Sequence, residues 1–224
     1  MNESLASKRS IMDKRRTLQW MLTPIVLFTL VFGWKYVWLG FVVPIVMIMG
    51  IAGGMVRGRY VCGNLCPRGS FFDRIISKIA GKKEIPATLR AIPLRLGVLA
   101  LLMGFMVWRL AADPSNLEHW GFVFWSMCAI TTAVGVALAL VYHPRTWCAV
   151  CPVGTLSNVI GGDKYQLDID ADCRECGRCE QSCTFNLPIV VHKSHGIVQE
   201  RDCIKCSVCA TACPKGALNW PDAA

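Results

Sequence analysis

Eight cysteines near the C-terminus of this 224-residue chain repeat one spacing twice: Cys173, Cys176, Cys179, Cys183, and then Cys203, Cys206, Cys209, Cys213. A C-x2-C-x2-C-x3-C run lets three thiolates of one tight loop grip three irons of a cubane, while the fourth thiolate reaches a neighbouring cluster. Two runs therefore imply two 4Fe-4S clusters. A structural zinc site prefers four ligands in paired C-x2-C knuckles, and three cysteines at successive three-residue steps, twice, fit a cubane better. A disulfide framework is disfavoured too, because cluster-binding thiols belong to a reducing compartment.

Over Gln166 to Trp220 the pattern resembles that of two-cluster bacterial ferredoxins. The resemblance implies Cys173, Cys176, Cys179 and Cys213 on one cubane, and Cys203, Cys206, Cys209 and Cys183 on the other. Pro214 follows Cys213 as the pattern expects, but Thr184 follows Cys183, with the nearest proline at Pro188. The first loop is therefore expected to bend differently near its last ligand. The strand pairs expected of such a domain draw on 166–169, 189–192, 197–200 and 217–220.

The rest of the chain is a membrane protein by composition. Hydrophobic residues make up 54% of the chain, mean hydropathy is +0.42, and the apolar residues concentrate before Pro144. Residues 1–16 are polar and basic, holding Lys8, Arg9, Lys14, Arg15 and Arg16. No small-residue cleavage site follows, so Arg15-Arg16 is not read as an export signal. From Thr17 to Val56 the only charge in forty residues is Lys35. That is twice the ~20 residues needed to cross a bilayer, and it predicts two spans joined at Gly33-Trp34-Lys35-Tyr36. Further spans are predicted near Pro93 to Ala112 and Trp120 to Tyr142.

Arg57 to Arg90 is rich in Lys and Arg, whereas the first outer turn holds Lys35 alone. The positive-inside rule then places both termini and the cysteines in the cytoplasm, at a bacterial inner membrane. The formal net charge of +9 falls to about +3 once three dianionic cubanes are bound, so nothing points to nucleic acid.

An internal repeat follows the second and fourth spans. Arg59-Tyr60-Val61-Cys62-Gly63-Asn64-Leu65-Cys66-Pro67-Arg68-Gly69-Ser70 aligns with Arg145-Thr146-Trp147-Cys148-Ala149-Val150-Cys151-Pro152-Val153-Gly154-Thr155. Neither pair completes a four-thiolate site, but Cys62, Cys66, Cys148 and Cys151 together supply the ligands of a third cubane. Zinc would satisfy the same ligand count. Pro67 and Pro152 turn the chain away from the metal, and the glycines allow close backbone approach. Arg59 and Arg145 either offset cluster charge and donate to sulfur, or are ordinary positive-inside residues. Phe71, Phe72, Ile75, Ile76 and Ile79 form an apolar stripe expected to lie flat at the interface. Thr155 to Ile160 is its counterpart, and Gly161-Gly162 reads as a linker.

With these motifs the chain resembles the NapH/MauN group of ferredoxin-like membrane proteins from Thr17 to Trp220. The resemblance implies membrane components of quinol dehydrogenases that pass electrons to a partner, or factors that mature another redox enzyme. The second pair here is C-x2-C-P rather than C-x3-C-P, which leaves the subgroup open. The fold class expected is membrane all-α, a bundle of four transmembrane helices in two repeated halves (17–162), with a C-terminal α+β two-cluster ferredoxin domain (163–224).

The four histidines, His119, His143, His192 and His195, cannot make a bis-histidine haem site inside the bilayer, and no flavin or nucleotide motif is visible. Arg95, Tyr142 and His143 are candidates for hydrogen bonding to quinone. Arg109, Asp113, Glu118 and His119 are the polar groups of the other face, and Cys128 is a lone thiol in the fourth span. The function that uses every cysteine run is an electron-transfer subunit linking the quinone pool, other redox subunits and three cubanes. A maturation factor and a zinc-stabilised anchor are the alternatives.

Overall fold

A computed structural model describes residues 2–81 and 83–221, with the backbone alone for residues 2–7 and Arg9. Helix α1 (Asn2–Phe32) leads through a turn into a short 3-10 helix (Val37–Phe41) and α2 (Val42–Arg57). Two short helices follow, α3 (Tyr60–Asn64) and α4 (Pro67–Arg74), then α5 (Ala87–Arg90) and the antiparallel pair α6 (Ile92–Ala111) and α7 (Leu117–Val141). Helices α8 (Thr146–Val150) and α9 (Pro152–Gly161) repeat the α3–α4 arrangement after α7. The C-terminal domain holds β1 (Asp168–Ile169), α10 (Arg178–Gln181), α11 (Val208–Ala212) and β2 (Leu218–Asn219).

Among the described residues, three helical stretches are long and apolar enough to cross a membrane: Val37–Arg57, Ile92–Ala111 and Leu117–Val141. The fourth expected span lies in α1, which is not one of the three. Its inward stripe is polar, with Arg15, Gln19, Thr23 and Thr29 buried, while Trp20, Met21, Phe28 and Val31 face outward. The threonine hydroxyls donate to carbonyls one turn back, Thr23 to Gln19 and Thr29 to Ile25, which keeps them satisfied inside the bundle. The basic N-terminal stretch is continuous with α1 rather than a separate segment.

The first turn falls at Gly33, where the sequence places it. Loop 113–119 is shorter than expected, because the Asn116 side chain accepts from the Glu118 and His119 amides and starts α7 early. The bundle closes tightly at its far end: a Cβ on Gly40 would stand 2.0 Å from the Gly121 carbonyl oxygen.

The stripe expected to lie flat on the lipid turns inward. Phe71, Phe72 and Ile76 are buried against Val26 and Ala139, and only Ile79 stays exposed. Burial within the bundle removes more apolar surface than an interface would. Gly161 is no hinge either, since it closes α9 and a Cβ there would meet the Gly54 carbonyl at 2.0 Å. In the C-terminal domain β1 pairs antiparallel with β2, Asp168 opposite Asn219, and Ile197 adds one bridge to Asp168. The strand expected over 189–192 does not form. The Glu180 carboxylate instead accepts the Ile189 and Val190 amides at 2.7 and 2.8 Å, and the chain continues as a 3-10 helix (Val190–His195).

Candidate metal centres

All thirteen cysteines line three cavities: four each in two of them, and in the third the four of the C-P-x-G repeat with Cys128. Cys173, Cys176, Cys179 and Cys213 surround a space of about 300 Å³ that opens at Cys176, the one exposed thiol. Cys183, Cys203, Cys206 and Cys209 surround the second. The third is bounded by Cys62, Cys66, Cys148 and Cys151, where the two halves of the bundle meet. The fourth cysteine of each C-terminal run crosses to the other run's cavity, as the ferredoxin resemblance implies.

Local conformation explains the first two cavities. Glu175 and Gly177 flank Cys176 with positive φ, and Lys205 and Ser207 flank Cys206 in the same way. Left-handed residues on both sides of the middle cysteine curl each loop around a single centre. Helices α10 and α11 then start directly after Gly177 and Ser207 and bury Cys179 and Cys209 in their first turns. Thr184, standing where the pattern has proline, brings its hydroxyl 3.5 Å from Cys206 Sγ.

The third cavity is built by the C-P-x-G repeat. Cys66 and Cys151 are the N-caps of α4 and α9, and Pro67 and Pro152 occupy the first helical position, where a missing N–H costs nothing. Cys66 Sγ accepts the Gly69 amide at 3.4 Å, so a helix N-terminus faces the sulfur. Gly69 and Gly154 are glycines because an arginine from the opposite half lies on each. A Cβ would stand 2.6 Å from an Arg145 guanidinium nitrogen at Gly69 and 2.8 Å from one of Arg59 at Gly154.

Both arginines are 1% exposed and reach across between the halves. Arg59 donates to the Cys148 carbonyl at 2.5 Å and Arg145 to the Cys62 carbonyl at 3.0 Å. Arg145 also approaches Cys148 Sγ at 3.7 Å. Each is held by a carboxylate: Arg145 by Asp73, with two contacts of 2.7 Å, and Arg59 by Asp202 at 2.8 Å. Arg15 joins the Asp73 pair and Arg95 the Asp202 pair. Burial alone would raise Asp73, but Arg145 and Arg15 outweigh it and hold the carboxyl below its ordinary range. Arg59 and Arg95 do the same for Asp202.

The thiols behave oppositely. Burial pushes Cys66 up to about 12 and Cys203 up to about 11, and raises Cys62, Cys183 and Cys209 as well. Such sulfurs become thiolates when a cation replaces the proton. Among the described residues no three His, Cys, Asp or Glu side chains converge on a point that could hold one metal ion. A lone zinc draws its sulfurs to about 2.3 Å from one point. Four thiols around a cavity also supply the ligand count of a 4Fe-4S centre.

The remaining candidates are dispersed. Arg95 is committed to Asp202 at 2.7 Å, whereas His143 lies beside Asp73 and Arg145 and is pushed down by burial. The Tyr142 carbonyl accepts the Lys83 amide. Pro214 lines the first cavity beside Lys215. Cys128 lines the third, with its thiol 4.0 Å from Thr132 Oγ1. His119 Nε2 contacts the Arg109 carbonyl at 2.9 Å and ties the α6–α7 turn. Asp73 and Asp202 were not singled out from the sequence. Their signal was a charge beside a metal motif, and charge on a short polar helix or loop ordinarily means solvent.

The chain carries 4Fe-4S domains of the ferredoxin type. Two known domains match it: the 4Fe-4S binding domain over residues 39–86 and 123–165, and the 4Fe-4S dicluster domain over residues 172–218. The first match is split across the two halves, and each part contains one cysteine pair. The chain is also similar to two uncharacterized proteins of Methanocaldococcus jannaschii. It is 26% identical to MJ0749 over 182 residues, covering 79% of this chain and 70% of that protein. With MJ0750 the identity is 23% over 184 residues, covering 74% and 73%. No solved structure matches.

Proposed function

We propose that the chain is a membrane-anchored electron-transfer subunit of the NapH/MauN kind, binding three 4Fe-4S clusters and linking the quinone pool to a redox partner. The carrying observation is that the twelve motif cysteines fall four to a cavity around three cavities, with Cys128 as a fifth thiol on the third. Such clusters supply one-electron chemistry when bound.

Packing supports a row of sites. Cys179 and Cys209 share one core, with Cys173, Cys183 and Cys213 against it. Cys206, Ala149 and Ile204 share another, with Cys148, Cys183 and Cys203 against it. The set at Cys203 thus lies between the other two, and the set at Cys176 is outermost, facing a partner. The third cavity continues into the bundle between Met47, Leu102, Met106, Phe124 and Met127, an apolar space suited to a quinol beside Cys66 and Cys151. Because Arg95 is paired to Asp202, this space is a better quinone site than the one read from Arg95, Tyr142 and His143. Helix α1 is taken as the fourth span, which puts both termini and all three sets on the cytoplasmic side.

Anaerobically purified protein is expected to hold about twelve iron and twelve labile sulfide per chain. Titration with a short-chain quinol, followed by low-temperature EPR, should bleach the cluster absorption. About eight iron with four ligands' worth of zinc would limit the clusters to the C-terminal domain. Full iron without quinol reduction would sink the quinone link.

A further inference from the structure

The two halves of the membrane domain differ in charge at one position of the repeat, and the C-terminal domain meets the second half there. Counted from the paired prolines, Asp73 of the first half corresponds to Asn158 of the second. Asp73 receives Arg15 from α1 and Arg145 from the opposite half. In the second half, Arg95 from α6 and Arg59 from the opposite half converge in the same way. The carboxylate they meet belongs to Asp202, the residue before Cys203. Asn158 stands beside it and donates through Nδ2 to Asp202 Oδ1 at 2.5 Å.

The replacement leaves a trace. Arg145 donates through Nε to Asp73, whereas the buried Nε of Arg59 has no partner, nor has that of Arg95. Buried N–H groups are rarely left unpaired, and by the correspondence of the two halves Arg59 Nε is the nitrogen that a carboxylate at position 158 would take, as Asp73 takes Arg145 Nε. The neighbouring backbone is fitted to the same contact. Asn64 Nδ2 donates to the Lys205 carbonyl at 3.2 Å, and a Cβ on Gly63 would stand 2.0 Å from the Ile204 carbonyl oxygen.

We propose that Asp202 is a docking key: it supplies from the C-terminal domain the acidic group that the second half lacks, and so fixes that domain against the Cys62–Cys151 site. Its importance for electron transfer rests on the cluster reading above, but the contact itself does not. Asp202 is a positioning residue, one side chain away from a cysteine of the middle set and in contact with an arginine that holds the Cys148 backbone.

The test is a charge exchange. Asp202→Asn leaves Arg59 and Arg95 buried without a carboxylate. Asn158→Asp alone sets a second carboxylate against Asp202. The double variant Asn158→Asp/Asp202→Asn restores one acid and one amide, and gives Arg59 Nε a partner. Backbone hydrogen exchange over 62–66 and 201–206, in detergent-solubilised full-length protein, is expected to rise about tenfold or more in each single variant and to return towards wild type in the exchange. Exchange within α7 serves as the internal standard. Unchanged rates in the singles, or a double variant as fast as the singles, would overturn the proposal. If Asp202→Asn fails to accumulate, accumulation of the double variant supports it and renewed failure overturns it. Hydrogen exchange needs no iron count, so low iron in the wild type would defeat the cluster reading alone.

Discussion

At the scale of single residues, the membrane-surface site depends on arginines that cannot leave. Arg145 spends Nε and one terminal nitrogen on Asp73 and the other on the Cys62 carbonyl, so its fork joins three elements at once. Lysine would keep the charge and lose the fork. With three clusters bound as proposed, Arg145→Lys is expected to lower iron content by about four per chain while the C-terminal clusters keep their EPR signals, a loss that metal analysis of the purified variant would read. Asp73 makes a second prediction. Its carboxyl lies below the ordinary value near about 3.9, so its contribution is full at neutral pH and is lost as pH falls through the folded value. Asp73→Asn should destabilise the protein by about 3–5 kcal/mol at pH 7, because it leaves Arg145 buried and unpaired. Thermal unfolding followed by circular dichroism should show the gap from wild type closing below about pH 4. A gap that stays constant with pH would mean that the carboxylate charge is not what stabilises the site.

At the scale of elements, close approach rather than propensity sets the geometry of the site. Gly69 and Gly154 sit in the first turns of α4 and α9 because the opposite arginine fills the place of a Cβ. Gly154→Ala should push Arg59 off the Cys148 carbonyl and lower iron at the membrane-surface site, whereas Gly97→Ala, which meets nothing within 4 Å, should leave it unchanged. Iron analysis of the two variants side by side checks this. These elements also mark how far the sequence could be read. Thiolate chemistry is local in the chain, so the spacing of Cys173 to Cys183 and the C-P-x-G repeat were legible, and so was the turn at Gly33. The fate of a charged or apolar side chain depends on what another element brings to it. Asp73 lies on what reads as the polar face of α4, yet Arg15 from α1 and Arg145 from α8's N-cap enclose it. Phe72 reads as a lipid anchor, and α7 supplies Ala139 to bury it. Residues 189–192 read as a strand, but the Glu180 carboxylate takes the amides a ladder would have used.

At the scale of the molecule, all three cysteine sets lie at one end of the bundle. Cys62 and Cys66 follow α2, Cys148 and Cys151 follow α7, and Ile204 of the C-terminal domain packs directly on Gly63 of that surface. On the proposed function, charge passed between these sets would move along the membrane face and not across the ~30 Å of hydrocarbon. The order of the sets then has a consequence that a single substitution exposes. Cys206 belongs to the middle set and is buried in the core that also holds Ala149 and Ile204. Cys206→Ser should remove or cripple the middle centre and leave the other two, at Cys66 and at Cys176, with their own four thiols. Dithionite, which reaches an exposed centre directly, should still reduce the one at Cys176. If the proposed relay holds, a quinol should reduce only the centre at Cys66, and electron delivery from quinol to a soluble acceptor should fall by at least about a hundredfold, since the middle step is gone. Stopped-flow absorbance with quinol, beside an EPR-monitored dithionite titration of the same sample, separates the two outcomes. Wild-type delivery through the Cys206→Ser variant would show that the outermost set is reached by another route, and that the row formed by the two shared cores is packing without electron traffic.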